Sequence, residues 1–165
     1  QIEPIASELT LAWIERKGHT VPKPDAKKVL IELKKRGYRL GVISNSLSSL
    51  DIPRTIQKFG WTDLLDVVIL SSSVKYRKPA PEIFWEATGS LKVEPSSCTF
   101  IGNRKSKDLV GCKLAGFALG IHIKETGNPK ENELDQTIRP DIQINSLSEL
   151  LDLFPERLIL QPRVD

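Results

Sequence analysis

Ser44, Lys78 and Asp108 lie in three segments, GVISNS, YRKPAPEIF and IGNRKSKDLVGCKLAG, and each follows or closes a run of apolar residues. A hydroxyl at Ser44 beside the Asn45 amide can orient a phosphoryl oxygen, although a Ser-Asn pair after a strand is, taken alone, more often a turn or a helix cap. Lys78 is stiffened by Pro79 and Pro81. An ammonium held there suits a phosphate or a carboxylate as a compact point charge, whereas Lys75 and Arg77 in the same loop read as solvated charges. Gly102 permits a sharp turn, and the helix after it offers N–H donors to an anion. Asp108, in or near the first turn of that helix, can support a metal directly or through water; its structural alternative is to stabilise the helix dipole by about 0.3–1 kcal/mol.

Such groups act together only if a scaffold brings them to one rim. From Asp25 to Arg36 the apolar residues Ala26, Val29, Leu30 and Leu33 recur at helical spacing, with Asp25 placed to cap the start and Gly37 to close the end. YRLGVIS then reads as a strand buried on both faces and ending at Ser44. Ile52, Ile56 and Phe59 mark a helix stopped at Gly60, and VVILS from Val67 is a second strand. Pro81 suits a first helical turn, with Ile83, Phe84 and Ala87 on its apolar face and Gly89 and Pro95 as breakers. CTFIG from Cys98 is a third strand. A helix opening near Ser106 carries Leu109, Cys112 and Ala115 and closes at Gly116, and FALGIHI is a fourth strand. Residues 125–140 read as loop, DIQI from Asp141 as a short strand, and Ser146 with Glu149 as a capping box ahead of Leu150, Leu151 and Phe154.

This alternation of apolar strands with helices implies an α/β fold, doubly wound around a mainly parallel sheet. In such sheets ligands bind beyond the carboxyl ends of the strands, where Ser44, the loop to Lys78, and Gly102-Asn103 all fall.

At 165 residues, with 39% hydrophobic and 27% charged side chains, the chain can bury one sheet and its covering helices. A formal charge of +3 gives no ground for a nucleic-acid or membrane partner. Cys98 and Cys112 are the only cysteines and show no zinc or disulfide spacing. With neither a long apolar run nor a secretory pattern, a cytoplasmic protein is expected. The chain contains no methionine and begins QIEP, which reads as a piece of a longer protein.

The order and spacing of VISNS, RKPAPEIF and G-N-R-K-S-K-D with its downstream AGF resemble the last three motifs of haloacid dehalogenase-like (HAD) phosphatases. The resemblance implies a Rossmann-like HAD core over residues 21–154, a remnant of a helical cap and linker over residues 1–20, and a tail over residues 155–165. It implies hydrolysis of a small phosphomonoester through an aspartyl-phosphate. Ser44 and Asn45 would bind the phosphoryl group, Lys78 would neutralise nucleophile and phosphate, and Asp108 with Asn103 would hold Mg²⁺.

Two departures stand beside the resemblance. No two Asp residues lie two positions apart, so the D-x-D-x-T segment that carries the family's nucleophile has no match and the chain alone is expected to be inactive. By resemblance the missing strand belongs at the centre of the sheet, between the strands ending at Ser44 and Ile101. The isolated chain is therefore expected to be unstable or to oligomerise unless an N-terminal segment completes the sheet. Asn103 stands where most phosphatase members carry an acid, and an amide weakens a site for a hard cation. The alternatives are a non-catalytic scaffold of the same fold and a metal-independent haloacid dehalogenase.

Overall fold

In the computed structural model, residues 21–124 and 137–157 are described. The cap-remnant reading of residues 1–20, most of the loop and the apolar run at Leu158–Leu160 lie outside them.

Helix α1, Ala26–Lys35, turns Ala26, Val29 and Leu33 inward, the stripe that its spacing predicts. Asp25 stands at its N-cap without capping it; the carboxylate instead accepts the Ser148 N–H at 2.8 Å and ties the helix to the far end of the chain. Strand β1, Gly41–Ser44, follows, then helix α2, Asp51–Lys58, and strand β2, Val67–Leu70. Helix α3, Glu82–Leu91, continues straight through Gly89 and ends where Lys92 adopts the left-handed region at φ 52°. The expected break at Gly89 does not occur, because a single glycine costs a helix only about 1 kcal/mol and the buried Ile83, Phe84, Ala87 and Thr88 hold the helix to the sheet.

Strand β3, Thr99–Gly102, leads into a π-helical turn at Lys105–Leu109 and then helix α4, Val110–Leu114. Strands β4, Leu119–Ile123, and β5, Ile142–Ile144, precede a 3₁₀ turn at Leu147–Glu149 and the short helix α5, Leu150–Leu153. The capping box forms as the sequence predicts, with Glu149 accepting the Ser146 N–H at 2.8 Å.

Among the described residues all strand pairs are parallel, but they form two sheets. β1 pairs with β2 in the register Gly41–Val67 to Ser44–Leu70, and β4 lies between β3 and β5. Two apolar clusters pack on opposite faces. Val29, Leu33, Ile121, Ile123, Ile144 and Leu150 join α1 and α5 to the three-stranded sheet. Ile83, Phe84, Cys112 and Ala115 join α3 to α4, with Ile43 and Phe100 from the two sheets resting against them. Phe84 and Ile83 are fully buried, each contributing about 1.5–3 kcal/mol relative to an exposed side chain. β1 is only half-buried or exposed along its length, against the expectation of a strand covered on both faces. Among the described residues, its edge away from β2 has no strand neighbour. No helix among the described residues is long and apolar enough to cross a membrane.

Candidate active site at the carboxyl ends of β1 and β3

The loop after β2 reaches the site because Asn45 grips it. The Asn45 side chain donates to the Lys78 carbonyl at 3.0 Å and accepts the Lys78 N–H at 2.8 Å, fixing the lysine backbone from both sides. A second tie lies one residue on, where the Ser71 hydroxyl accepts the Ser46 N–H and donates to the Ser46 carbonyl, both at 3.1 Å. Any contact that Asn45 makes with a phosphoryl group therefore comes from its main-chain N–H, since its side-chain amide is committed to positioning Lys78.

Held in this way, the Lys78 side chain runs back across the gap between the sheets. Its ammonium donates to the Ile43 carbonyl at 2.9 Å and stands 2.6 Å from Asp108 Oδ1. It also lies 5.1 Å from the centroid of the Phe100 ring, whose face attracts a cation. Both charged side chains are nearly buried, with 12% of Lys78 and 5% of Asp108 exposed. Water cannot screen this pair as it does a surface ion pair.

Asp108 is placed by the turn after β3. It falls within the π-helical turn rather than in the first turn of an α-helix, and its other oxygen accepts the Arg104 N–H at 3.0 Å. The turn folds back so tightly that a Cβ on Gly102 would overlap the Asp108 side chain. Glycine at this position thus serves close approach. Directed inward at Lys78, the carboxylate acts as a counter-ion and not as a solvent-exposed partner of a helix dipole.

The structure brings Ser44, Asn45, Lys78 and Asp108 to one rim, with Ser44 closing β1 and Asn103 following the last residue of β3. Two participants have no signature in the sequence. The Ile43 carbonyl and the Arg104 N–H are main-chain groups, which every residue carries, and only the fold selects them. Arg104 Nε is also buried without a hydrogen-bond partner.

The described residues do not by themselves fit a Mg²⁺ site. No group of three or more potential His, Cys, Asp or Glu ligands occurs among them. Asp108 already shares its two oxygens between Lys78 and Arg104, and Mg²⁺ demands near-octahedral oxygen coordination. Cys112 offers no alternative chemistry. Burial pushes its thiol up to about 11, helped by the nearby Asp141 charge, so the reactive thiolate is scarce at neutral pH.

Residues 7–120 match the family of haloacid dehalogenase-like hydrolases. The glyceraldehyde 3-phosphate phosphatase of Methanothermobacter thermautotrophicus is 33% identical over 135 residues, covering 79% of this chain and 58% of its own length. The phosphoserine phosphatase of Thermus thermophilus is 26% identical over 145 residues, covering 88% of this chain and 56% of its own. Among solved structures, a HAD phosphatase from Thermococcus onnurineus superposes with a TM-score of 0.73 at 27% identity, over 91% of this chain and 64% of that one. A dehalogenase with an intermediate complex gives 0.69 at 30% identity, over 82% of this chain and 57% of that one. The chain thus spans less than two thirds of each of these proteins. Its parallel α/β architecture and its three motif segments agree with the match, and the chain belongs to the haloacid dehalogenase-like hydrolase family.

Proposed function

We propose that this chain supplies the phosphoryl-handling rim of a phosphomonoester hydrolase, with the nucleophilic aspartate coming from a segment outside the described residues. The observation that carries the reading is the position of Lys78. A nearly buried ammonium sits at the carboxyl ends of β1 and β3, held by the Ile43 carbonyl and Asp108, and an ammonium has three donors to give. The remaining donor can serve a carboxylate and the phosphate it attacks.

In this reading Lys78 offsets the negative charge gathered as a phosphate approaches a carboxylate, the main electrostatic obstacle to forming an aspartyl-phosphate. Ser44 donates its hydroxyl to a phosphoryl oxygen, and the Asn45 N–H adds a second donor. Asp108 holds the lysine side chain aimed at the rim. The orphan Arg104 Nε supports an anionic ligand near this rim. The substrate class is a small phosphorylated molecule, in keeping with relatives named as glyceraldehyde 3-phosphate and phosphoserine phosphatases. Mg²⁺, expected for the full-length enzyme from the family resemblance, requires oxygen ligands from beyond the described residues.

A second reading has its own observation. Asn103 in place of an acid, with Asp108 engaged by Lys78, favours metal-independent hydrolysis of a carbon–halogen bond. One experiment separates the two. The chain is extended upstream to include an aspartate-bearing strand and is assayed for phosphate release from p-nitrophenyl phosphate and for chloride release from 2-chloropropionate. Phosphate release that falls at least a hundredfold in Lys78→Ala supports the phosphatase. Chloride release alone supports the second reading, and phosphatase activity indifferent to Lys78→Ala removes Lys78 from the mechanism.

A further inference from the structure

Helix α3 turns Ile83, Phe84, Ala87 and Thr88 into the core, so Glu82, Trp85, Glu86, Gly89 and Ser90, three and four residues apart, share its outer face. With Tyr76 from the preceding loop they line an open groove of about 580 Å³. The groove is separate from the rim, since none of Ser44, Asn45, Lys78 and Asp108 borders it.

Trp85 is fixed in place, because its Nε1 donates to the Ala115 carbonyl at 3.1 Å. The only polar atom of the indole is thus used within the chain. What its 46% exposure leaves open is ring carbon and π face. Tyr76, 39% exposed, brings a second ring to the same groove. Such surfaces take an apolar group or a cation, and the carboxylates of Glu82 and Glu86 select the cation. Among the described residues no ion pair joins either carboxylate to a basic side chain. Glu82 stands in the first turn of α3, where the helix dipole favours it, but Glu86 follows four residues later, and like charges at that spacing repel. Lys75 and Arg77 flank Tyr76 in the chain, yet neither lines the groove. Beyond Glu86 the floor is bare backbone, with nothing within 4 Å of the position a Cβ on Gly89 would take.

We propose that this groove docks an arginine-bearing segment of a partner protein, with the guanidinium stacked on Trp85 and hydrogen-bonded to Glu82 and Glu86. A guanidinium is planar, stacks on aromatic faces and presents a fork of donors that carboxylates match, whereas an ammonium is a strongly hydrated point charge. The groove is open and follows the helix for about two turns, or about 12 Å from Glu82 to Ser90. It does not enclose a small cation, which needs a cage to bind well. A polypeptide reaches past Trp85 to the exposed backbone at Gly89, where the missing side chain permits close approach. The two carboxylates repel nucleic acid and anionic membranes. None of this rests on the phosphohydrolase reading.

The test titrates the isotope-labelled chain, residues 1–165, with the peptide GARAARAG, blocked at both ends, up to millimolar concentration. Expected are saturable 1:1 binding and shifts centred on the Trp85 indole N–H and the Gly89 amide. Affinity should fall at least tenfold when citrulline, neutral and of the same shape, replaces arginine. It should fall as far in the variant Glu82→Gln with Glu86→Gln. Gly89→Gln, which fills the floor without interrupting the helix, should weaken binding at least fivefold and leave the thermal midpoint no lower, an outcome that loss of the fold does not produce. Equal binding of the citrulline peptide, or binding indifferent to the two glutamines, would overturn the proposal. A lysine peptide as tight as the arginine peptide would overturn the choice of arginine, and methylguanidine as tight as the peptide would assign the groove to a small cation instead. Shifts at Trp85 that grow with protein concentration without peptide would assign this face to a second copy and overturn it too. No shift at millimolar peptide, or no dispersed amide resonances, counts against it equally.

Discussion

Lys78 Nζ stands 2.6 Å from Asp108 Oδ1 and bridges the two sheets at their carboxyl ends. The pair is a structural joint as well as a chemical one. Removing one member leaves the other charge nearly buried and unpaired, which costs about 3–5 kcal/mol. Lys78→Met is accordingly expected to lower stability by that amount in urea unfolding, and Lys78→Met with Asp108→Leu to recover most of the loss. Strictly additive losses in the double variant would show that the two charges act independently.

The same pair predicts indifference to magnesium. Both Asp108 oxygens are occupied and no three-ligand cluster exists among the described residues. Millimolar MgCl₂ should leave the thermal midpoint of this chain unchanged, because only a ligand that prefers the native state raises it. A rise of several degrees reversed by chelator would reveal oxygen ligands elsewhere in the chain.

At Gly102 the turn has no room for a side chain. A Cβ there would collide with Asp108 and disturb the Arg104 N–H that holds the carboxylate. Gly102→Ala is expected to destabilise the chain by about 1–3 kcal/mol, the usual cost of overpacking a tight site. It should also halve or abolish the gain in stability that Asp108 draws from Lys78, which a double-mutant cycle measures.

Much of this arrangement was legible in the residue pattern. Strand positions, the helix stripe at Val29 and Leu33, and the convergence of Ser44, Lys78 and Asp108 follow from periodicity, from proline and glycine placement and from the rule that α/β sites lie beyond strand ends. Three features were not legible. Asn45 serves as a clamp on the Lys78 main chain, and an amide side chain gives no hint from sequence whether it will meet a ligand or a backbone. Asp108 occupies a π-helical turn, a local widening that hydrophobic spacing does not distinguish from an α-helix. Gly89 has the propensity of a breaker, but local propensity is a weak term that the packing of Phe84 and Ala87 overrides.

The same glycine offers a stabilising substitution. Gly89 is exposed within α3, and nothing lies within 4 Å of the position a Cβ would take. Gly89→Ala restricts the unfolded chain and costs the native state nothing. It is expected to add about 0.4–1 kcal/mol, measured as a higher urea midpoint at constant slope. An unchanged or lower midpoint would mean that the helix is not formed at this position in solution.

Acid should weaken the chain through Asp141. The carboxylate accepts the Gly120 N–H at 2.7 Å and stands 3.1 Å from Lys113 Nζ. The backbone hydrogen bond, aided by the lysine, holds its pKa below the usual carboxylate value. Glu149 is lowered in the same direction by the N–H groups of Asn145 and Ser146. A depressed folded-state pKa means that the unfolded chain binds the proton more readily. The stabilisation is therefore present above the ordinary value of 3.8 for Asp141 and is lost as pH falls through the folded value. The thermal midpoint should stay level from neutral pH to about pH 5 and drop below about pH 4. Asp141→Asn should lower the midpoint at pH 7 and flatten that acid limb, because the variant has no proton to take up at this site. An acid limb equally steep in the variant would assign the loss to other carboxylates.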